Sequence, residues 1–137
     1  MATMREEDYL EAIASVVGKK GYAKVNDISK LLGVAPSSVT EMFRRLSDSG
    51  YVNYEKYSGV TLKKKGEELA AAVQSRHDVL KEFLILLGVE ESIADEDACK
   101  IEHDLNQESL ERLSSFVEFL KDPTEGQCIK KFRKKLD

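Results

Sequence analysis

Apolar residues recur at two different periods along this chain, and the switches between them mark its parts. Behind Thr3-Met-Arg-Glu6, which has the form of a capping box, Tyr9, Leu10, Ile13, Val16 and Val17 return at helical spacing. The stretch from Gly18 to Gly21 predicts the end of that helix. A second helix is expected from caps at Asn26 and Asp27, with Ile28, Leu31 and Leu32 as its apolar positions and Gly33 as its stop. Val34, Ala35 and Pro36 then lead into SSVTEMFRRLSDSG, where Val39, Met42, Phe43 and Leu46 share one face and Gly50 terminates it. There the period drops to two. YVNYEKYSGVTL alternates, is rich in Tyr, Val and Thr, and carries Ser58-Gly59 as its turn signal, so it predicts a β-hairpin.

Helical spacing resumes in the second half. A long helix is expected through Leu69, Val73, His77, Leu80, Phe83 and Leu84, stopped by Gly88. A short acidic helix over residues 90–94 and a separate one over 98–105 follow. The last clear helix covers residues 109–120, with Leu110, Leu113, Phe116, Val117 and Leu120 apolar, and Asp122-Pro123 breaks it. The basic tail CIKKFRKKLD is also helical in pattern. The expected fold is therefore mainly α, in two domains over residues 1–72 and 73–137. No repeat or low-complexity linker separates them, which points to a packed junction.

Two helices across a short turn, followed by a hairpin, form the order of a winged helix-turn-helix. In that reading Pro36, Ser37 and Ser38 open the recognition helix, offering backbone N–H groups and hydroxyls to phosphates and base edges. Ser37, Ser38, Thr40, Glu41 and Arg44 lie on its polar face. The planar fork of Arg44 suits guanine O6 and N7, while Glu41 repels phosphate but can accept from cytosine N4. Lys56, Tyr57 and Ser58, at the hairpin tip, are placed to reach the backbone or a minor groove, and Lys63, Lys64 and Lys65 to lie near phosphates.

The net charge of −4 on 137 residues speaks against nucleic acid, but its distribution reverses that. Residues 12–76 hold eleven Lys and Arg against six Asp and Glu, whereas residues 77–137 hold nine against fifteen. A basic module is joined to an acidic one. No apolar run approaches the roughly 18 residues of a membrane span, and MATMREEDYL is acidic rather than signal-like, so the cytoplasm is the expected compartment and no membrane is an expected partner. Cys99 and Cys128 are too few for a disulfide framework.

The acidic module carries the candidate chemistry. In CKIEHD, Cys99, Glu102 and His103 fall at i, i+3 and i+4, one face of a helix. Such a face is more often solvated than ligating. Two features weigh on the other side: His77 lies beside the apolar positions Leu80 and Leu84, and Asp8 with Glu11 repeats the one-face spacing on the first helix. Ligand-type residues thus come from three helices.

EDYLEAI, GYAKVNDISKLLGVAPSSVTEMFRRL, GYVNYEKYSGVTLKKKG, SRHDVL and IEH together resemble the manganese transport regulators, the two-domain branch of the diphtheria toxin repressor family. The likeness runs from Asp8 to Leu120. It implies a winged helix-turn-helix domain plus a C-terminal helical dimerisation domain without the SH3-like third domain of larger relatives, for which this chain is too short. It also implies a homodimeric repressor of metal-uptake genes acting on palindromic double-stranded operator DNA, with a divalent metal rather than a small organic substrate as its ligand. Position by position, Asp8, Glu11, His77, Glu102 and His103 match the ligands of the family's binuclear manganese site, with Glu11 and Glu102 as bridging carboxylates. Cys99 departs: the manganese regulators carry a glutamate there, and the iron-responsive members, which carry the cysteine, have a methionine at the position of Asp8.

The expected ion is Mn²⁺ or Fe²⁺, about one or two per subunit, with Co²⁺, Zn²⁺ or Cd²⁺ able to substitute. Oxygen and imidazole donors suit Mn²⁺; a thiolate favours Fe²⁺, Co²⁺ and Zn²⁺. The alternative for Cys99 is a small buried residue whose carbonyl alone meets the metal. Neutralising carboxylates across the junction would tie the halves together and fix the separation of the two recognition helices at roughly 34–36 Å. Two rivals remain at this level: a metal-independent winged-helix regulator, and a zinc hydrolase on His77, Glu102 and His103. Against the hydrolase, the chain has no HExxH, no nucleophile elbow and no Gly-rich phosphate loop. Its carboxylates are also spent as ligands, leaving no base.

Overall fold

The computed structural model describes residues 3–136, the side chain of Met4 excepted. Seven helices and one hairpin follow in the order α1 (Met4–Lys20), α2 (Val25–Leu32), α3 (Pro36–Asp48), β1 (Val52–Glu55), β2 (Gly59–Leu62), α4 (Lys64–Leu86), α5 (Glu91–Ile101), α6 (Gln107–Lys121) and α7 (Gln127–Lys134) among the described residues. The chain divides into two compact units, Met1–Val73 and Gln74–Asp137. The division falls inside α4.

In the first unit, the Thr3 hydroxyl accepts the Glu6 N–H at 3.1 Å and caps α1, which Gly21 closes in the left-handed conformation at φ 86°. α2 begins at Val25, earlier than its expected caps. Asp27 acts from inside the first turn, accepting the Lys24 N–H at 2.9 Å, so the carboxylate still satisfies an otherwise orphaned donor. Ile28 is buried and Leu32 half-buried, but Leu31, expected on the same side, is 55% exposed. Position i+4 rather than i+3 completes the inward stripe of this short helix.

Tyr9, Leu10 and Ile13 of α1, Ile28 of α2, Val39, Phe43 and Leu46 of α3, and Val52 and Val60 of the hairpin are each at most 1% exposed. Burying side chains of this size contributes about 1.5–3 kcal/mol each. Phe43 meets Tyr54 edge-to-face at 5.7 Å between centroids, which fixes α3 against β1. Val52 pairs with Leu62 and Glu55 with Gly59 in the antiparallel register, so Gly59 opens β2 instead of forming the turn. The turn is made by Lys56, Tyr57 and Ser58, with Tyr57 itself left-handed at φ 73°. Ala23 joins the sheet by exchanging hydrogen bonds with Val60 at 2.9 and 2.8 Å. That approach requires glycine next door: a Cβ on Gly59 would lie 2.4 Å from the Ala23 carbonyl oxygen.

In the second unit, one helix, α5, replaces the two short ones expected over residues 90–105. Ala94 and Ala98 are fully buried one turn apart, and this small-residue face keeps the acidic run Asp95-Glu96-Asp97 helical although its composition reads as a break. The chain leaves helical geometry in the turn at residues 102–104. On α6, Leu110, Val117 and Leu120 are buried, while Phe116 and Phe119 are each 47% exposed. Phe116 stacks on Phe119 at 6.4 Å and leans on Phe83 of α4 at 6.4 Å, forming an aromatic surface. Among the described residues, no helix is long and apolar enough to cross a membrane.

Candidate metal centre and nucleic-acid interface

The recognition helix divides its polar residues between two hollows of the first unit. Thr40 and Arg44 line one side of a groove of about 310 Å³ whose other walls include Lys56 and Tyr57 of the hairpin turn, Lys24 at the N-cap of α2 and Asn26 in its first turn. Ser38 and Glu41 face a second hollow of about 210 Å³ with Arg5 and Arg45. There Arg45 is tied to Glu6 at 3.2 Å, so its guanidinium is already half committed. Ser58 lies on the opposite side of the hairpin, lining a hollow with Asn53 and Thr61. Pro36 and Ser37 stand exposed at the start of α3.

Three cations, Lys24, Arg44 and Lys56, surround one groove in which the Arg44 side chain is exposed and Tyr57 is 86% exposed. Lys56 lies over the Tyr57 ring at 5.3 Å, which presents charge and aromatic face together. Lys24 and Asn26 are absent from the expected set. Their signal is the helix start itself, since a polar pair at the head of α2 faces the same groove as the recognition helix.

In the second unit, His77 of α4 is buried and held from both sides. Its Nδ1 is 2.9 Å from Glu102 Oε2, and its Nε2 is 2.8 Å from Asp95 Oδ1. The Glu102 carboxylate is fully buried, and its Oε1 is 3.4 Å from Nε2 of His103. Burial lowers the His77 pKa, but the hydrogen bond to Asp95 and the charge and hydrogen bond of Glu102 outweigh it, leaving the pKa above its ordinary value. The hydrogen bond from His77 likewise holds the Asp95 carboxyl below the usual carboxylate range. The surroundings select for positive charge on or beside this imidazole.

Cys99, one turn before Glu102, completes a close group: one donor atom each from His77, Cys99 and Glu102 lie within 4.8 Å of one another. Donors bound to one ion at about 2.0–2.3 Å are separated by up to about 4.5 Å, so a modest contraction around a divalent metal fits this set. Its composition, one thiol, one imidazole and one carboxylate, suits Fe²⁺, Co²⁺ or Zn²⁺ more than an all-oxygen site does. Cys99 is exposed rather than buried, which removes the reading of a small core residue. Cys128 is also exposed, on α7. Asp8 and Glu11, on α1 of the first unit, are both half-buried and one turn apart.

Residues 1–60 match the iron dependent repressor, N-terminal DNA binding domain, and residues 63–131 match the iron dependent repressor, metal binding and dimerisation domain. The chain is 42% identical over 122 residues to the HTH-type transcriptional regulator MntR of Lysinibacillus sphaericus (strain C3-41), covering 89% of this chain and 88% of that one. It is 38% identical over 138 residues to the protein of the same name from Bacillus subtilis (strain 168), covering 100% of this chain and 97% of that one. Among solved structures it resembles a manganese-dependent transcriptional repressor in complex with manganese, with a TM-score of 0.72 and 25% identity. That likeness covers 83% of this chain and 53% of the longer solved one.

Proposed function

The chain belongs to the iron-dependent, or diphtheria toxin, repressor family in its manganese transport regulator branch, and on that premise we propose that Mn²⁺ or Fe²⁺ is its cellular co-repressor. Family membership makes it a metal-dependent, DNA-binding, homodimeric transcriptional repressor and not an enzyme. The finer assignment is ours. His77, Cys99, Glu102 and His103 ligate the ion, with Asp8 and Glu11 of α1 as further ligands by correspondence of sequence. The operator is palindromic, the regulated genes encode metal uptake, and the protein works in the cytoplasm.

The observation that carries the ligand assignment is the close approach of Cys99 and Glu102 to His77. It supports a thiolate as a ligand at a position where the manganese regulators have a carboxylate. Because ligands come from α1 as well as from α4 and α5, metal occupancy and DNA binding form one linked equilibrium. A coupling of about 1–3 kcal/mol is typical of such linkage, and operator DNA must tighten metal binding by the same factor. On the DNA side, Arg44 reads base edges. Pro36, Ser37, Ser38, Thr40 and Glu41 dock the recognition helix, and Lys56, Tyr57 and Ser58 extend the contact from the wing.

Competitive titration calorimetry with Mn²⁺ and Co²⁺, run anaerobically on the wild type and Cys99→Glu, tests the assignment. The expected result is a fall in the Co²⁺ to Mn²⁺ affinity ratio when the thiolate becomes a carboxylate. An unchanged ratio would remove Cys99 from the ligand set.

A further inference from the structure

Asp95 is outside the ligand set carried over from the family, yet it makes the shorter of the two hydrogen bonds to His77. It stands on α5 at i−4 from Cys99 and i−7 from Glu102, along the helix face that carries both. An imidazole directs its two nitrogens away from each other. Here Nδ1 faces Glu102, the residue grouped with Cys99, while Nε2 is taken by Asp95 Oδ1 at 2.8 Å.

The Asp95 carboxylate is itself braced by Lys81 Nζ at 3.4 Å, and that ammonium also reaches Glu91 at 3.5 Å. Lys81 and His77 lie one turn apart on α4, so two side chains on one face of that helix clasp one carboxylate of α5. Asp95 remains 54% exposed, so its removal leaves no buried void.

We propose that Asp95 is a positioning residue of the metal centre: it accepts the Nε2–H of His77, fixes the tautomer, and leaves Nδ1 free to bind the ion. A ligating histidine that donates its other N–H to a carboxylate is held in orientation and made a stronger donor. The inference rests on His77 being a ligand, and its test separates the two claims.

The test measures Zn²⁺ affinity by competition with a chromophoric chelator for the wild type, His77→Ala, Asp95→Ala, Asp95→Asn and Glu96→Gln. It is paired with long-range ¹H–¹⁵N correlation spectra of the Zn²⁺-loaded protein. His77 and His103 are the two histidines of the chain, so their ring nitrogens are readily assigned. Expected are a proton on Nε2 and metal on Nδ1 of His77, and a loss of about 10–100-fold in affinity for Asp95→Ala. Asp95→Asn, which keeps an acceptor oxygen, recovers most of that loss. Glu96→Gln, which removes a charge from the neighbouring position of α5, stays within about threefold of wild type.

Metal on Nε2, an Asp95→Ala affinity within about threefold of wild type, or a Glu96→Gln loss as large as that of Asp95→Ala overturns the positioning role. If His77→Ala itself retains wild-type affinity, the ligand assignment fails first and the role of Asp95 falls with it.

Discussion

Glu102→Gln isolates the charge of the proposed metal centre while keeping its shape. Glu102 is fully buried with its Oε2 2.9 Å from His77 Nδ1; glutamine is nearly the same size and keeps one side-chain oxygen. What the variant loses is one negative charge beside the ion. Two unit charges about 4 Å apart interact by about 4 kcal/mol at an effective dielectric constant near 20, so a dication gains about twice that, gross. The neutral side chain is cheaper to bury and keeps an oxygen toward the metal, which offsets much of the gross term. A net loss of about 3 kcal/mol, or slightly more than 100-fold in affinity, remains.

Metal at 100 times the wild-type Kd stabilises the native protein by about 2.7 kcal/mol; for the variant the same concentration is close to its Kd and contributes about 0.4 kcal/mol. For a chain of this size 1 kcal/mol moves Tm by about 4 °C. Scanning calorimetry should then show a metal-induced rise of about 11 °C for wild type and about 2 °C for Glu102→Gln, with the two proteins melting within a few degrees of each other in chelator. A variant stabilised by metal as strongly as wild type would refute the reasoning.

Three further outcomes are expected. Gly66→Ala, whose Cβ would sit 2.1 Å from the Tyr51 carbonyl oxygen, should cost about 1–3 kcal/mol, read as a lower urea midpoint at unchanged slope. Phe116→Glu combined with Phe119→Glu places charges on the exposed aromatic surface of α6. It should yield a folded monomer by sedimentation velocity, and an intact dimer would show that this surface is not the dimer contact. Arg44→Ala should weaken operator binding by about 1–3 kcal/mol and relax base preference, whereas Lys56→Ala should weaken all sequences alike and reduce the salt slope by about 1; identical salt and sequence profiles for the two would undo the division into base and phosphate contacts.

The winged helix was legible because its signals agree at every level. Val39, Met42, Phe43 and Leu46 are apolar at helical spacing and all prove buried, and the alternation after Tyr51 is met by a two-stranded register from Val52 to Leu62. The misread parts are those where composition and packing disagree. The acidic run at residues 95–97 reads as a break, while Ala94 and Ala98 beneath it need a continuous helix in order to pack closely. Tyr57 was expected at the tip, but its left-handed backbone was not, because a tyrosine gives no warning of positive φ.

In the candidate metal centre, the spacing that puts Cys99 and Glu102 on one helical face was readable. Asp95 was not, since one aspartate among several on an acidic helix carries no mark until its distance to His77 is known. The groove residues Lys24 and Asn26 were hidden for a similar reason: α2 begins earlier than its apparent caps.

The central claim is that metal on this residue set licenses DNA binding. Its most direct test is fluorescence anisotropy of the protein on a labelled palindromic operator, performed anaerobically in chelator and then with Mn²⁺, Fe²⁺ or Co²⁺, for wild type and His77→Ala. Tight binding by wild type with metal, weaker by about 5–150-fold in chelator, and weak binding by His77→Ala in both conditions is the predicted result. Equal affinity in chelator and in metal would contradict it and leave a winged-helix dimer that needs no ion.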